Sequence, residues 1–177
     1  MISIFVNSWK VKEIRNKILY TLLILAIVRL GTHIALPGID VLSIKLTQDL
    51  YSSGTLYNII AGGYGSNWSI FAMGIGPYIT SSIIMQLLTV AIPKLEALSK
   101  EGEEGRKKIS SYTRYLTVAL AALQGTGVVL NYRNMMLNNS VGMCVIAVLS
   151  LVAGTVFIMW LAEQITEKGI TNGSSMI

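Results

Sequence analysis

The apolar stretches of this 177-residue chain contain few side chains that could do chemistry. Arg29 and His33 are four residues apart, which places them one helical turn from each other near the end of the first apolar stretch. Ion-coupled transporters use titratable groups inside the membrane. A long basic side chain near a membrane surface can instead extend its charge into water. We interpret the Arg29–His33 pair as an interfacial anchor or a partner for a neighbouring helix.

The other apolar stretches lack the residues that catalysis or metal binding requires. Beyond position 69 their interiors contain no Asp, Glu, Lys, Arg or His. Cys144 is the single cysteine, which excludes an internal disulfide and a cysteine metal cluster. No paired carboxylates and no nucleophile with a nearby base are found. The sequence therefore predicts a protein that is not an enzyme and that needs no cofactor or metal.

One apolar stretch has a patterned surface. Ile75, Ile79 and Ile83 recur every four residues and would share one face of a helix. Thr80, Ser81, Ser82 and Gln86 form a polar shoulder beside them. Polar groups in hydrocarbon favour a partner helix or an aqueous cleft. Taken alone, this pattern is more often a helix–helix contact than a pore lining, and both interpretations stay open.

Composition indicates a membrane protein. The chain is 53% hydrophobic and 13% charged, whereas soluble domains carry about 25% charged residues. The 44 residues Leu50–Pro93 include no charged side chain, although one span needs only about 20. The first half of this run is rich in Gly, Ser and Asn. It predicts a re-entrant segment at 56–65, which needs protein or water around its backbone.

The predicted fold class is an all-α membrane protein with four spans. Pro37 closes the first span and Pro93 the second, because proline cannot continue a helix cheaply. The spans are residues 18–36, 68–93 (with its helix at Ile70–Ile92), 115–130 and 141–161. Residues 37–67 and 131–140 are then the outer loops.

Basic residues predict the orientation. The leader 1–17 holds four Lys or Arg residues, and the loop 94–114 holds six. Short loops rich in Lys and Arg stay cytoplasmic, so both termini, including residues 162–177, are predicted inside. Glutamates interrupt the basic residues of 94–114. This mixture favours a protein-docking loop over a nucleic-acid site.

Several strings resemble the SecY family, whose members are channel subunits of the bacterial protein translocase. They are LPGID from Leu36, SIFAMGIGPYI from Ser69, IIMQLL from Ile83, SKEGEEGRKKI from Ser99, YTRYL from Tyr112 and WLAEQITEKGITNGSS from Trp160. They occur in the family's order along essentially the whole chain.

The resemblance implies the N-terminal portion of a ten-helix channel built from two five-helix halves. This chain would supply four helices and a short re-entrant plug helix. By this resemblance, Ile75 and Ile79 belong to the pore ring. The other implied sites are the plug residues Leu56, Tyr57, Ile59 and Ile60, and the lateral-gate residues Thr80, Ile83 and Gln86.

The resemblance also implies partners and a location. The expected partners are SecE, SecG, the SecA motor or the ribosome, nascent secretory and membrane polypeptides, and membrane lipid, with no direct nucleic-acid contact. Arg106, Lys107 and Lys108 would dock the cytoplasmic partner at the bacterial plasma membrane. Because the family continues through six more helices, we expect a truncated product or fragment that is inactive alone. A small tetraspan transporter or a structural membrane scaffold is the alternative.

Overall fold

The computed structural model describes residues 12–38, 69–131, 133, 136, 140–169 and 173–177. This part of the chain is helical and contains no strand, which confirms the all-α prediction for it. An isolated antiparallel bridge pairs Ala35 with Ser69. The helices are α1 (Lys12–Gly31), α2 (Gly76–Ala91), α3 (Pro93–Lys100), α4 (Glu103–Asn131), α5 (Val141–Lys168) and α6 (Gly173–Met176).

Helix α5 is the centre of the packing. Among the described residues it is the one helix that is long and apolar enough by itself to cross a membrane. Its 28 residues extend for about 42 Å at 1.5 Å per residue. Its buried side chains, which include Leu151, Ile158 and Ile165, face α1, α4 and α6.

Charged residues distinguish α1 and α4 from α5. Helix α1 carries Arg15, Lys17 and Arg29 within its 20 residues. Helix α4 begins with two glutamates, and four basic residues follow them before its apolar part. Neither helix contains an apolar stretch long enough to mark a span by itself. The four-span layout therefore stays a prediction.

Helix α2 is shorter than the span expected at 68–93. Residues 70–75 form turns instead, in which the Ile70 amide donates to the Ile34 carbonyl at 3.1 Å. Gly74 adopts a φ of 55°, a left-handed conformation that no regular helix contains. Pro77 then occupies the first turn of α2, where a missing amide hydrogen costs nothing. The 16 residues of α2 reach about 24 Å, less than a hydrocarbon core of about 30 Å.

The predicted loop 94–114 is helical. Ile92 is extended, with φ −109° and ψ 113°, because the proline that follows disfavours the helical conformation at the residue before it. Helix α3 therefore turns away from α2 by 102°. Gly102, at a φ of 81°, separates α3 from α4. The remainder of the expected loop forms the first three turns of α4.

Two apolar clusters hold the helices together. Leu36, Val129, Ala147 and Leu151 form one, and Ile24, Val28, Leu161 and Ile165 form the other. Helix α4 buries a stripe of mainly small residues that recur every four positions from Thr113 to Val129. Small side chains let helix backbones approach closely in a membrane, where van der Waals packing drives association.

Candidate functional site

Helix α2 has a buried face and an uncovered face. Pro77, Ser81 and Met85 are buried and face α4, with which α2 makes most of its interhelical contacts. Ile79 and Ile83 are 41% and 52% exposed. Each follows a buried residue by two positions, or about 200° around a helix of 3.6 residues per turn. They therefore lie opposite the packed side.

The uncovered face of α2 consists of Ile79, Ile83, Leu87 and Val90, all exposed. Ile75, the other residue of the predicted pore ring, is half-buried and occupies the N-cap position of the helix. The two residues of the predicted ring therefore differ, because Ile75 is partly covered and Ile79 is exposed. In a membrane, such a row of exposed branched side chains is covered by lipid or by another protein surface.

Most hydroxyls of the polar shoulder are satisfied within their own helix. Thr80 donates to the Gly76 carbonyl at 3.0 Å, and Ser81 donates to the Pro77 carbonyl at 2.7 Å. Thr89 likewise donates to the Gln86 carbonyl at 2.6 Å. Such bonds to the preceding turn are common for Ser and Thr inside helices. These hydroxyls therefore require neither a partner helix nor water.

The three predicted lateral-gate residues are brought together. Thr80, Ile83 and Gln86 recur every three positions on α2, and all are exposed. Residues three apart are neighbours on a helix surface. They form one accessible stripe that crosses the uncovered face at Ile83. Their role at a gate stays a prediction.

A polar cavity of about 460 Å³ lies between α2, α3 and α4. It exists because α3 folds back toward α4, a turn that the sequence analysis did not anticipate. Arg106 supplies the positive charge in its wall. Its other polar lining residues are Tyr78, Ser82, Gln86, Thr89, Ser99, Ser110 and Thr113.

The predicted docking residues lie on a helix rather than a loop. Arg106, Lys107 and Lys108 are exposed in the first turns of α4. Glu103 and Glu104 precede them at the helix start, where negative charge interacts favourably with the helix dipole. The basic residues are therefore presented at fixed positions on a helix.

The plug residues Leu56, Tyr57, Ile59 and Ile60 lie outside the described residues, so the plug stays a prediction. Within the described ranges, no cluster of His, Cys, Asp or Glu could hold a metal ion. The Cys144 thiol lies 3.8 Å from the Met136 sulfur, which makes it a packed side chain.

Comparison with known proteins decides the family. The SecY family model matches residues 69–177, more than half of the chain. Protein translocase subunit SecY of Streptomyces griseus is 48% identical over 99% of this chain and 44% of its own length. Those of Aquifex aeolicus and Staphylococcus aureus are 43% and 42% identical, over 96% and 100% of this chain.

This chain belongs to the SecY family. The resemblance found in the sequence is thereby confirmed. The chain spans 42–44% of the length of the SecY relatives named here. The family match includes α2 to α6 and the turns before α2.

Sequence reasoning missed how those turns are held in this SecY-family chain. Ile70 packs against Gly154 of α5, and Phe71 packs against Gly31 of α1; a Cβ atom at either glycine would collide with them. The Phe71 ring stacks on Phe157, which stacks on Trp160, with centroids 6.0 Å apart in each pair. Gly31 and Gly154 were the features of the sequence that could have indicated these close contacts.

A second missed feature is an ion pair between helices. The Arg114 Nε lies 2.8 Å from the Glu163 Oε1 and connects α4 to α5. The two residues are 49 positions apart. Nothing in their spacing indicates the contact, since it depends on how the two helices pack.

Proposed function

We propose that this chain is part of a protein-conducting channel of the general secretory pathway. The channel passes unfolded polypeptides across the plasma membrane and releases membrane helices sideways into lipid. The names of the relatives, protein translocase subunits, support this proposal. The observation that carries it is the uncovered face of α2, which falls inside the family match.

In this proposal Ile75 and Ile79 belong to a constriction ring. Branched apolar side chains around a narrow neck exclude ions because water leaves the constriction. The same side chains yield to an extended polypeptide. The exposure of Ile79 and the partial exposure of Ile75 are compatible with this role. Thr80, Ile83 and Gln86 would then line the lateral gate, and residues 56–65 would form the plug.

The proposed topology has four spans with both ends in the cytoplasm of a bacterium. The basic residues of the leader and of the α3–α4 region support that orientation. Arg106, Lys107 and Lys108 would then face the SecA motor or the ribosome. SecE and SecG would complete the channel in the membrane.

Site-specific crosslinking tests the proposal. Single cysteines are placed at Ile75, Ile79, Ser81 and Met85 of a complete channel whose Cys144 is replaced by Ala, and a secretory precursor is stalled during transit. We expect adducts at 75 and 79, because these side chains face the passage. Ser81 and Met85 are the matched controls, since both are buried on the opposite face.

A distribution of adducts without a preference for positions 75 and 79 would contradict the channel function. Adducts at none of the four positions, or equally at all four, would mean that α2 does not border the path of the polypeptide. A structural scaffold predicts this result, because no polypeptide would pass along α2. In a scaffold, polar substitutions on α2 would change assembly alone.

A further inference from the structure

The polar cavity between α2, α3 and α4 collects the hydroxyl groups that the helices do not use internally. In α1 to α5, all Ser and Thr side chains except those of Ser82, Ser99 and Ser110 donate to a carbonyl of their own helix, three or four positions earlier. Such bonds satisfy a hydroxyl inside a helix. Ser82, Ser99 and Ser110 make no side-chain hydrogen bond within the described part of the chain. All three line the cavity.

Three further groups in the cavity wall can form hydrogen bonds. They are the Tyr78 phenol, the Gln86 amide and the Arg106 guanidinium, and their side chains make no hydrogen bond or ion pair with the described residues. No Asp or Glu of the described chain lines the cavity, so the charge of Arg106 is not neutralised there. Guanidinium and hydroxyl groups donate to ionised oxygens, and these bonds are stronger than neutral ones. The cavity therefore has the composition of a site for an anionic group.

The lining of the cavity favours a peptide over a lipid headgroup. Its volume of about 460 Å³ is within the range of ligand sites, about 300–1,000 Å³. A phospholipid brings acyl chains beside its phosphate, but Met85 and Ile109 are the apolar side chains among the described lining residues. The Gln86 amide both donates and accepts hydrogen bonds. A peptide backbone offers both partners for it, whereas an ionised phosphate accepts only.

We propose that this cavity binds an acidic peptide segment, whose Asp or Glu carboxylate lies on Arg106 and on the serine hydroxyls. The Gln86 amide bonds to the backbone of the same segment. Gln86 is also one of the predicted lateral-gate residues, so the bound segment contacts α2 at the gate stripe. That the segment belongs to a cytoplasmic partner of the channel rests on the proposed function. The recognition of an acidic peptide rests on the cavity alone.

Peptide titration tests this inference. The whole 177-residue chain, with Cys144→Ser and an environment-sensitive dye at Ala97→Cys, is placed in nanodiscs of phosphatidylcholine. Ala97 is exposed on α3. The probes are the end-blocked peptides Gly-Ser-Glu-Gly-Ser-Gly and Gly-Ser-Gln-Gly-Ser-Gly, which differ in one carboxylate, and glycerol phosphate as a soluble lipid headgroup.

Two pairs of variants separate the cavity from its surroundings. Arg106→Gln removes the charge in the cavity wall, and Lys94→Gln removes an exposed charge of α3 that does not line the cavity. Ser110→Ala removes an unused hydroxyl, and Ser111→Ala removes its neighbour, which already donates to the Lys107 carbonyl at 3.1 Å. Arg106 is exposed, so its replacement leaves the packing of α4 intact.

We expect the Glu peptide to bind at least about 10-fold more tightly than the Gln peptide, the scale of a hydrogen bond to a charged group. Arg106→Gln should abolish this preference. Ser110→Ala should weaken binding of the Glu peptide about 3- to 10-fold, the scale of a neutral hydrogen bond. Lys94→Gln and Ser111→Ala should bind the Glu peptide as the unsubstituted chain does.

Three results would overturn the inference. Equal binding of the two peptides would mean that the cavity does not recognise a carboxylate. Equal losses in Arg106→Gln and Lys94→Gln would mean that surface charge, not the cavity, attracts the peptide. Tighter binding of glycerol phosphate than of the Glu peptide, dependent on Arg106 and Ser110, would assign the cavity to a lipid headgroup. None of these results bears on whether polypeptide passes along α2, which the crosslinking at positions 75 and 79 decides separately.

Discussion

At the scale of single residues, the hydroxyl groups and the isoleucines of α2 carry different information. The hydroxyls of Thr80 and Ser81 bond to carbonyls of their own helix. Their presence therefore does not indicate water or a partner. Ile79 and Ile83 are exposed on a helix whose other side is packed. The case for a passage along α2 consequently depends on its apolar face.

The residue-scale prediction concerns Ile79. In a complete channel, Ile79→Asn should raise the ion conductance of the resting state, because an amide in the constriction retains water where a branched apolar side chain excludes it. Leu149→Asn is the control, since Leu149 is 62% exposed on α5 but is no part of the proposed ring. The measurement is the current across planar bilayers. Equal currents in both variants and wild type would refute a role in the ion barrier.

At the scale of elements, the turns at 69–75 connect α1, α5 and α2. Ser69 pairs with Ala35, Phe71 packs on Gly31 and Ile70 packs on Gly154. Helix α2 therefore begins from a point that two other helices hold. Its far end is set by Pro93 and the 102° turn into α3.

The element-scale prediction tests this point with one methyl group. Gly154→Ala should destabilise the protein by about 1–3 kcal/mol, the usual cost of overpacking, because the added Cβ collides with the Ile70 carbonyl oxygen. Gly127→Ala is the matched control. That glycine is also helical, but open space surrounds it. Alanine should therefore stabilise its helix by up to about 1 kcal/mol.

Thermal unfolding of the purified protein in detergent measures both changes. The expected order of melting temperatures is Gly127→Ala above wild type above Gly154→Ala. A Gly154→Ala variant as stable as wild type would show that the turns at 69–75 do not pack tightly on α5.

Some elements could be read from the sequence and others could not. Helix α5 begins at residue 141, the predicted start of the fourth span, where a long apolar run starts, but it continues to Lys168 rather than ending at 161. The early start of α4 at Glu103 was missed, since its charged first turns look like a solvated loop. The late start of α2 depends on the left-handed Gly74. The isoleucine pattern predicted that Ile79 and Ile83 share a face, but not that Ile75 precedes the helix and is half-buried. The Arg114–Glu163 contact requires the packing of α4 on α5.

At the scale of the whole molecule, the described residues bury one side of each long helix and leave much apolar surface open. Leu22, Leu23 and Leu30 of α1 are more than half exposed, and the uncovered face of α2 continues to Val90 at 81%. Lipid can cover α1. A ring that blocks ions, however, needs apolar side chains on several sides of a neck. Within the described residues, the uncovered face of α2 supplies apolar side chains on one side of such a neck.

The whole-molecule prediction follows from this one-sided surface. Residues 1–177 expressed alone should not support growth of cells depleted of their own SecY, because Ile79 and Ile83 face no opposing wall within the described part of the chain. Full-length SecY of Streptomyces griseus, of which this chain matches 44%, is the positive control. Immunoblots of the membrane fraction must show equal amounts of both proteins, so that lack of growth cannot result from degradation. Growth with residues 1–177 alone would mean that these helices form a complete passage, for example by pairing two copies.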